Sequence, residues 1–157
     1  MIAALQDFTA SLPSVLQWAG VMLAAAVPFV ESYFGSVIGV LAGIHPAIAI
    51  VAAIVGNVVS MLLFVLSADS VRSKVVRGKA PKAASARRQK LRAQFDKYGV
   101  AGVSLLGQTI LPSQITSAAM VSFGASRNAV ILWQVVSIII WGAAFGIFAA
   151  FGVSLIG

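Results

Sequence analysis

Cysteine is absent from the 157-residue chain, which excludes disulfides, thiol chemistry and thiolate metal sites. There is one histidine, His45, and only four acidic residues, Asp7, Glu31, Asp69 and Asp96. No carboxylate stands near His45 in sequence, so no metal is expected, and no other cofactor either. Catalytic sets are missing too. There is no Ser-His-Asp arrangement, no paired carboxylates within the apolar stretches and no phosphate-binding glycine loop, so neither enzyme activity nor direct nucleotide coupling is expected. No lysine or arginine precedes Arg72. The first segment therefore lacks the basic head of a signal peptide and is expected to be retained.

Charge is absent from most of the chain. Apart from His45, residues 8–30, 32–68, 98–126 and 128–157 hold no ionisable group of acidic or basic type. Each run exceeds the roughly 20 residues needed to cross about 30 Å of hydrocarbon. With 60% hydrophobic residues, 10% charged and a mean hydropathy of +1.00, the composition is that of one integral membrane domain spanning residues 1–157. Ten of the eleven basic residues lie between Arg72 and Lys97, and the eleventh is Arg127. The positive-inside rule makes residues 69–97 cytoplasmic. Arg87, Arg88, Lys90, Arg92 and Arg127 are candidates for contact with anionic headgroups. A basic run between membrane segments, without interleaved aromatics, is not expected to bind nucleic acid.

Taken in order, residues 1–14 suit either an interfacial helix or a short polar lead-in to the membrane. Residues 16–27 and 32–43 are each about half a bilayer long and flank Pro28 and Glu31. They read as a first re-entrant hairpin, 16–43, with a single kinked helix as the alternative. Gly35, Gly39 and Gly43 recur at four-residue spacing, and Gly142, Gly146 and Ala150 repeat the pattern. On helices these would form packing faces, and they point to a homo-oligomer. Pro46 marks the first turn of a transmembrane helix over 46–67, in which Asn57 either bridges helices or lines a site. Residues 83–95 have helix-favouring composition.

A second polar break follows. Gln108, Thr109, Pro112, Ser113, Gln114, Thr116 and Ser117 crowd residues 107–117, inside an uncharged stretch. A re-entrant hairpin over 98–125 would use them to satisfy backbone groups that a break leaves unpaired. Residues 128–156 then form the last transmembrane helix. The two halves share the order of hairpin then helix but face opposite sides of the membrane, an inverted repeat of the kind found in secondary transporters. Glu31 lies twelve residues before Gly43, and Pro112 lies twelve before Gly124.

Pro28-Phe29-Val30-Glu31 with the glycines that follow, Gly56-Asn57, and Ile110-Leu111-Pro112-Ser113-Gln114-Ile115-Thr116-Ser117-Ala118 resemble the small multidrug export protein family. More distantly, they resemble the DedA superfamily of SNARE-associated, or VTT-domain, proteins. The resemblance covers roughly residues 20–155. It implies a multi-pass protein of the bacterial inner membrane with two opposed hairpins, and a cargo that is a small molecule or a lipid. Lipid-carrier members of the wider group place an acidic residue in the first hairpin, which Glu31 matches. They place arginines around the second proline, where Gln108 and Gln114 stand here. That departure favours a cationic or neutral cargo over an anionic phosphate.

Glu31 is the only acidic residue between Asp7 and Asp69. A carboxylate at membrane depth must be held with a proton or a cation, and exchanging one for the other is the minimum that proton-coupled export requires. At headgroup level it would instead be an anchor. The polar residues of 107–117 either line a cavity or cap helix ends, and Tyr33 either stacks on a cation or simply packs. The leading expectation is a proton-coupled exporter of a small cationic or amphipathic compound, its site formed by Glu31, Tyr33, Asn57 and the second tip. The alternatives are a lipid flippase or scramblase and a non-transporting scaffold.

Overall fold

The computed structural model describes residues 1–75, 86–107 and 111–156. Every regular element among them is helical. In order these are α1 (Ile2–Ser11), a 3₁₀ turn at Ser14–Leu16, α2 (Gln17–Ala25), α3 (Glu31–Leu41), α4 (Pro46–Val75), α5 (Ala86–Gly107), α6 (Ser113–Ser122) and α7 (Arg127–Ile156).

Two of them are long and apolar enough to cross a membrane. The stretch Pro46–Ser67 has a mean hydropathy of 2.6 over 22 residues, and Arg127–Leu155 one of 2.2 over 29. At 1.5 Å per residue both exceed about 30 Å. Many large side chains of α7 face outward, Phe148 being 80% exposed and Leu155 86%. The core helix of a soluble protein would bury such residues, whereas a helix solvated by lipid need not. The fold is all-α and has the character of a membrane protein. By contrast α2, α3 and α6 have nine, eleven and ten residues, about 14–17 Å each, and none of them spans alone.

The chain forms two compact units, residues 1–60 with 138–157, and residues 61–137. The helices α4 and α7 each contribute one part to each unit.

In the first unit α3 is the centre. Gly35 and Gly39 line one side, where an added Cβ would sit 2.6 Å from Ala25 Cβ and 2.6 Å from Ala49 Cβ. Only hydrogen at those positions lets α2 and α4 approach so closely. On the other side Ser32 and Ser36 meet α7: a Cβ at Gly142 would lie 3.0 Å from Ser32 Cβ, and one at Gly146 would lie 3.1 Å from Ser36 Cβ and collide with Ile50. The glycine and serine faces thus serve contacts within the chain. Val21, Ala25, Ala52 and Ala53 form one buried cluster, and Ala24, Val30 and Ile38 another.

Gly43 does not share that face. It follows the end of α3 with φ +84° and no neighbour near its Cβ position. Its N–H donates to Val40 O (3.0 Å) and that of Ile44 donates to Gly39 O (3.1 Å), a Schellman ending. The left-handed backbone there favours glycine, so the four-residue spacing was shared by two different roles. His45 then caps α4, its Nδ1 accepting the N–H of Ala47 at 3.3 Å.

In the second unit α5 packs on α6. Within α5, Gly99 leaves the helical region (φ 66°, ψ −169°), a conformation open almost only to glycine. It separates the charged stretch 86–98 from the uncharged 100–107. The helix α6 ends as α3 does: Gly124 has φ +105°, its N–H donates to Val121 O (3.1 Å), and that of Ala125 donates to Met120 O (3.0 Å). From Gly43 to the start of α4 is three residues, and from Gly124 to the start of α7 is also three.

Two boundaries differ from the sequence expectation. The helix α4 runs on to Val75, through residues assigned to the loop part of 69–97. The helix α6 begins at Ser113, so Ser113–Ser117, expected in the polar tip, belong to its first turns. Polar side chains there read as a tip because hydroxyl and amide groups serve both settings.

Candidate functional site

Glu31 stands where the chain restarts after a five-residue break between α2 and α3. Its side chain is completely buried. Its backbone is left-handed at φ 54°, and Phe29, two residues earlier, has φ 74°. Non-glycine residues held there cost of order 1–3 kcal/mol each, and such strain collects where function constrains the chain. The carboxylate also sits in the first turn of α3, at the positive end of the helix dipole.

The break that produces this geometry is sealed by side chains. Ser60 Oγ, on α4, donates to Ala26 O at 2.8 Å, satisfying a carbonyl just past the end of α2. Ser32 Oγ donates to Ile138 O at 2.8 Å and fixes α3 against α7. Asn57 is fully buried on α4, one residue after Gly56, whose Cβ position would collide with the carbonyl of Met22.

Tyr33, two residues after Glu31, belongs to a group of rings. Tyr33 lies within electrostatic reach of the carboxylate. Its ring is 4.8 Å from Phe34 and 5.5 Å from Phe145, and Trp141 is 5.9 Å from Phe145. All four side chains are part-exposed. Aromatic faces beside a buried carboxylate are the surroundings in which an organic cation can be desolvated. Sequence reasoning named Tyr33 and Glu31 but missed Ser32, Ser36, Trp141 and Phe145. The available signal was small and aromatic residues at three- to four-residue spacing on α7.

The other candidates belong to the second unit. Pro112, Ser113, Gln114, Thr116 and Ser117 are all buried. Thr116 N–H donates to Pro112 O (2.9 Å), and Thr116 Oγ1 approaches Leu111 O at 3.4 Å. Ser117 Oγ donates to Gln114 O (3.1 Å), and Ser113 Oγ lies 3.5 Å from Gln114 Oε1. These hydroxyls hold the first turns of α6. Gln108 and Thr109 lie outside the described residues. Ser137 Oγ donates to Ser104 O at 2.7 Å, both residues being buried. Sequence reasoning named neither.

Of the candidate headgroup contacts, Lys90, Arg92 and Arg127 are exposed. Arg92 pairs with Asp96 at 3.1 Å, reaches Phe123 O at 3.4 Å and lies 5.2 Å from the Phe123 ring. The side chains of Arg87 and Arg88 lie outside the described residues. No group of three or more metal-ligating side chains occurs among the described residues. Comparison with protein-family models, curated proteins and solved structures gives no match.

Proposed function

We propose that the protein is a multi-pass membrane transporter that exports a small cationic or amphipathic compound in exchange for protons, with Glu31 as the exchanging group. The single observation that carries this reading is the complete burial of Glu31 at a strained break, within electrostatic reach of Tyr33, whose ring packs with those of Phe34 and Phe145. A carboxylate buried in this way keeps a proton until a cation replaces it. The rings supply a surface that tolerates an organic cation stripped of water.

In this reading each pair of short helices, α2 with α3 and α5 with α6, is a re-entrant hairpin. Half-length helices joined by a polar or strained break support it, as do the matching Schellman endings before each long helix. The shared order of elements, with basic residues between the halves, supports an inverted repeat and a cytoplasmic position for residues 69–97. The motifs around Glu31 and Pro112 support kinship with the small multidrug export proteins and an inner-membrane location.

The test is uptake of a fluorescent lipophilic cation into proteoliposomes under an imposed pH gradient. Wild-type protein is expected to accumulate the cation when the lumen is acidic and to stop when the gradient is collapsed. Glu31→Gln is expected to reduce uptake to that of protein-free vesicles. Equal uptake by wild type and Glu31→Gln would overturn the assignment.

A further inference from the structure

The corner at Gly99 joins two kinds of surface within the second unit. Before it, residues 86–98 carry five basic side chains against the single Asp96, and Asp96 is already paired with Arg92. Leu91 is buried, and Phe95 packs on Phe123 with ring centroids 6.0 Å apart. The apolar side of this stretch is therefore occupied, and Lys90 and Lys97 are left exposed. After the corner, residues 100–107 are uncharged. Polarity changes at Tyr98, whose ring is half exposed and lies 5.0 Å from Lys97 Nζ. A tyrosine with a neighbouring lysine is the pair that settles at a headgroup boundary.

A small cleft of about 50 Å³ opens at this corner. Gln94 and Tyr98 form its mouth, and Gly102, Val103, Leu106 and Gly107 its floor. Gly102 keeps it open beneath the tyrosine, since a Cβ there would sit 2.6 Å from Tyr98 Cβ. The mouth is polar with cations beside it and the floor is apolar, so the cleft is complementary to an amphiphile with an anionic head. Neither a free anion nor a neutral lipid would use both halves.

We propose that this corner is a binding site for an anionic phospholipid, with the first few methylenes of one acyl chain against the cleft and the phosphate against Lys97 and Lys90. The site uses residues of the second unit alone and does not depend on what the protein transports. It gives the charged stretch 86–98 a fixed seat on the anionic leaflet.

The test is lipid retention on purified protein, measured by native mass spectrometry with phosphatidylglycerol and phosphatidylcholine of identical chains. Wild type is expected to prefer phosphatidylglycerol, and Lys90→Gln and Lys97→Gln are each expected to weaken that preference about fivefold. Both lysines are exposed, so thermal unfolding in detergent should be unchanged and serves as the folding control. Gly107→Ala adds a methyl to the floor, 3.4 Å from Thr116 Cγ2, and is expected to weaken both lipids alike. Soluble glycerol 3-phosphate should compete poorly. No preference in the wild type, or a preference that survives both lysine changes together, would overturn the site. Competition by glycerol 3-phosphate as strong as by lysophosphatidylglycerol would overturn the role of the cleft.

Discussion

Ser32 Oγ donates a 2.8 Å hydrogen bond to Ile138 O, joining residues 106 positions apart in a fully buried contact. This bond sets the residue after Glu31 against α7, and it is made where Gly142 allows the helices to touch. Removing the hydroxyl leaves the packing in place but loses the bond. Ser32→Ala is expected to lower stability by about 0.5–1.5 kcal/mol, read by SDS titration in mixed micelles. Gly142→Ala brings a methyl against Ser32 Cβ at 3.0 Å and is expected to cost about 1–3 kcal/mol.

Glycines of two kinds should respond differently. A methyl at Gly56 meets the Met22 carbonyl, which is backbone and cannot turn aside. Gly56→Ala is expected to cost more than about 3 kcal/mol, or to force α2 off α4. Gly43 and Gly124 have open space around the Cβ position, so Gly43→Ala and Gly124→Ala should each cost only about 1–2 kcal/mol for the left-handed backbone. The same titration ranks them, and equal losses at all three positions would contradict the distinction.

Ser137 and Ser104 are linked, yet their hydroxyls are not equivalent. Ser137 Oγ donates to Ser104 O, whereas Ser104 Oγ meets no hydrogen-bond partner among the described residues. Ser137→Ala should destabilise by about 1 kcal/mol. Ser104→Ala removes a buried hydroxyl without losing a bond and should be neutral or stabilising. Unfolding midpoints of the two variants, compared side by side, check the sign.

Punctuation residues made much of this legible from the sequence. Pro46 marks the start of α4, and Pro112 the break before α6, because a fixed φ and a missing N–H restrict the chain in a way other residues do not. The uncharged runs around 46–67 and 128–156 identified the two long helices. Gly43 was harder, since spacing alone cannot tell a helix face from a helix ending. Ser113–Ser117 were harder still, because buried hydroxyls in a first turn look like a polar loop. The contact of Ser32 with α7 and the packing of Phe145 on Tyr33 were not legible, because which side of a short helix faces which neighbour depends on packing across more than 100 residues.

The most direct measurement is proton release when a lipophilic cation such as tetraphenylphosphonium is added to purified protein in weak buffer. Exchange at Glu31 is expected to release up to one proton per chain. Competition has a defined sign: as pH falls, the proton occupies the carboxylate more fully, so cation affinity should weaken on the acid side, by up to about tenfold per pH unit. Glu31→Gln should release none and should bind the cation without pH dependence. Undiminished proton release in Glu31→Gln, or wild-type binding with no release at any pH, would contradict the assignment of Glu31 as the exchanging group.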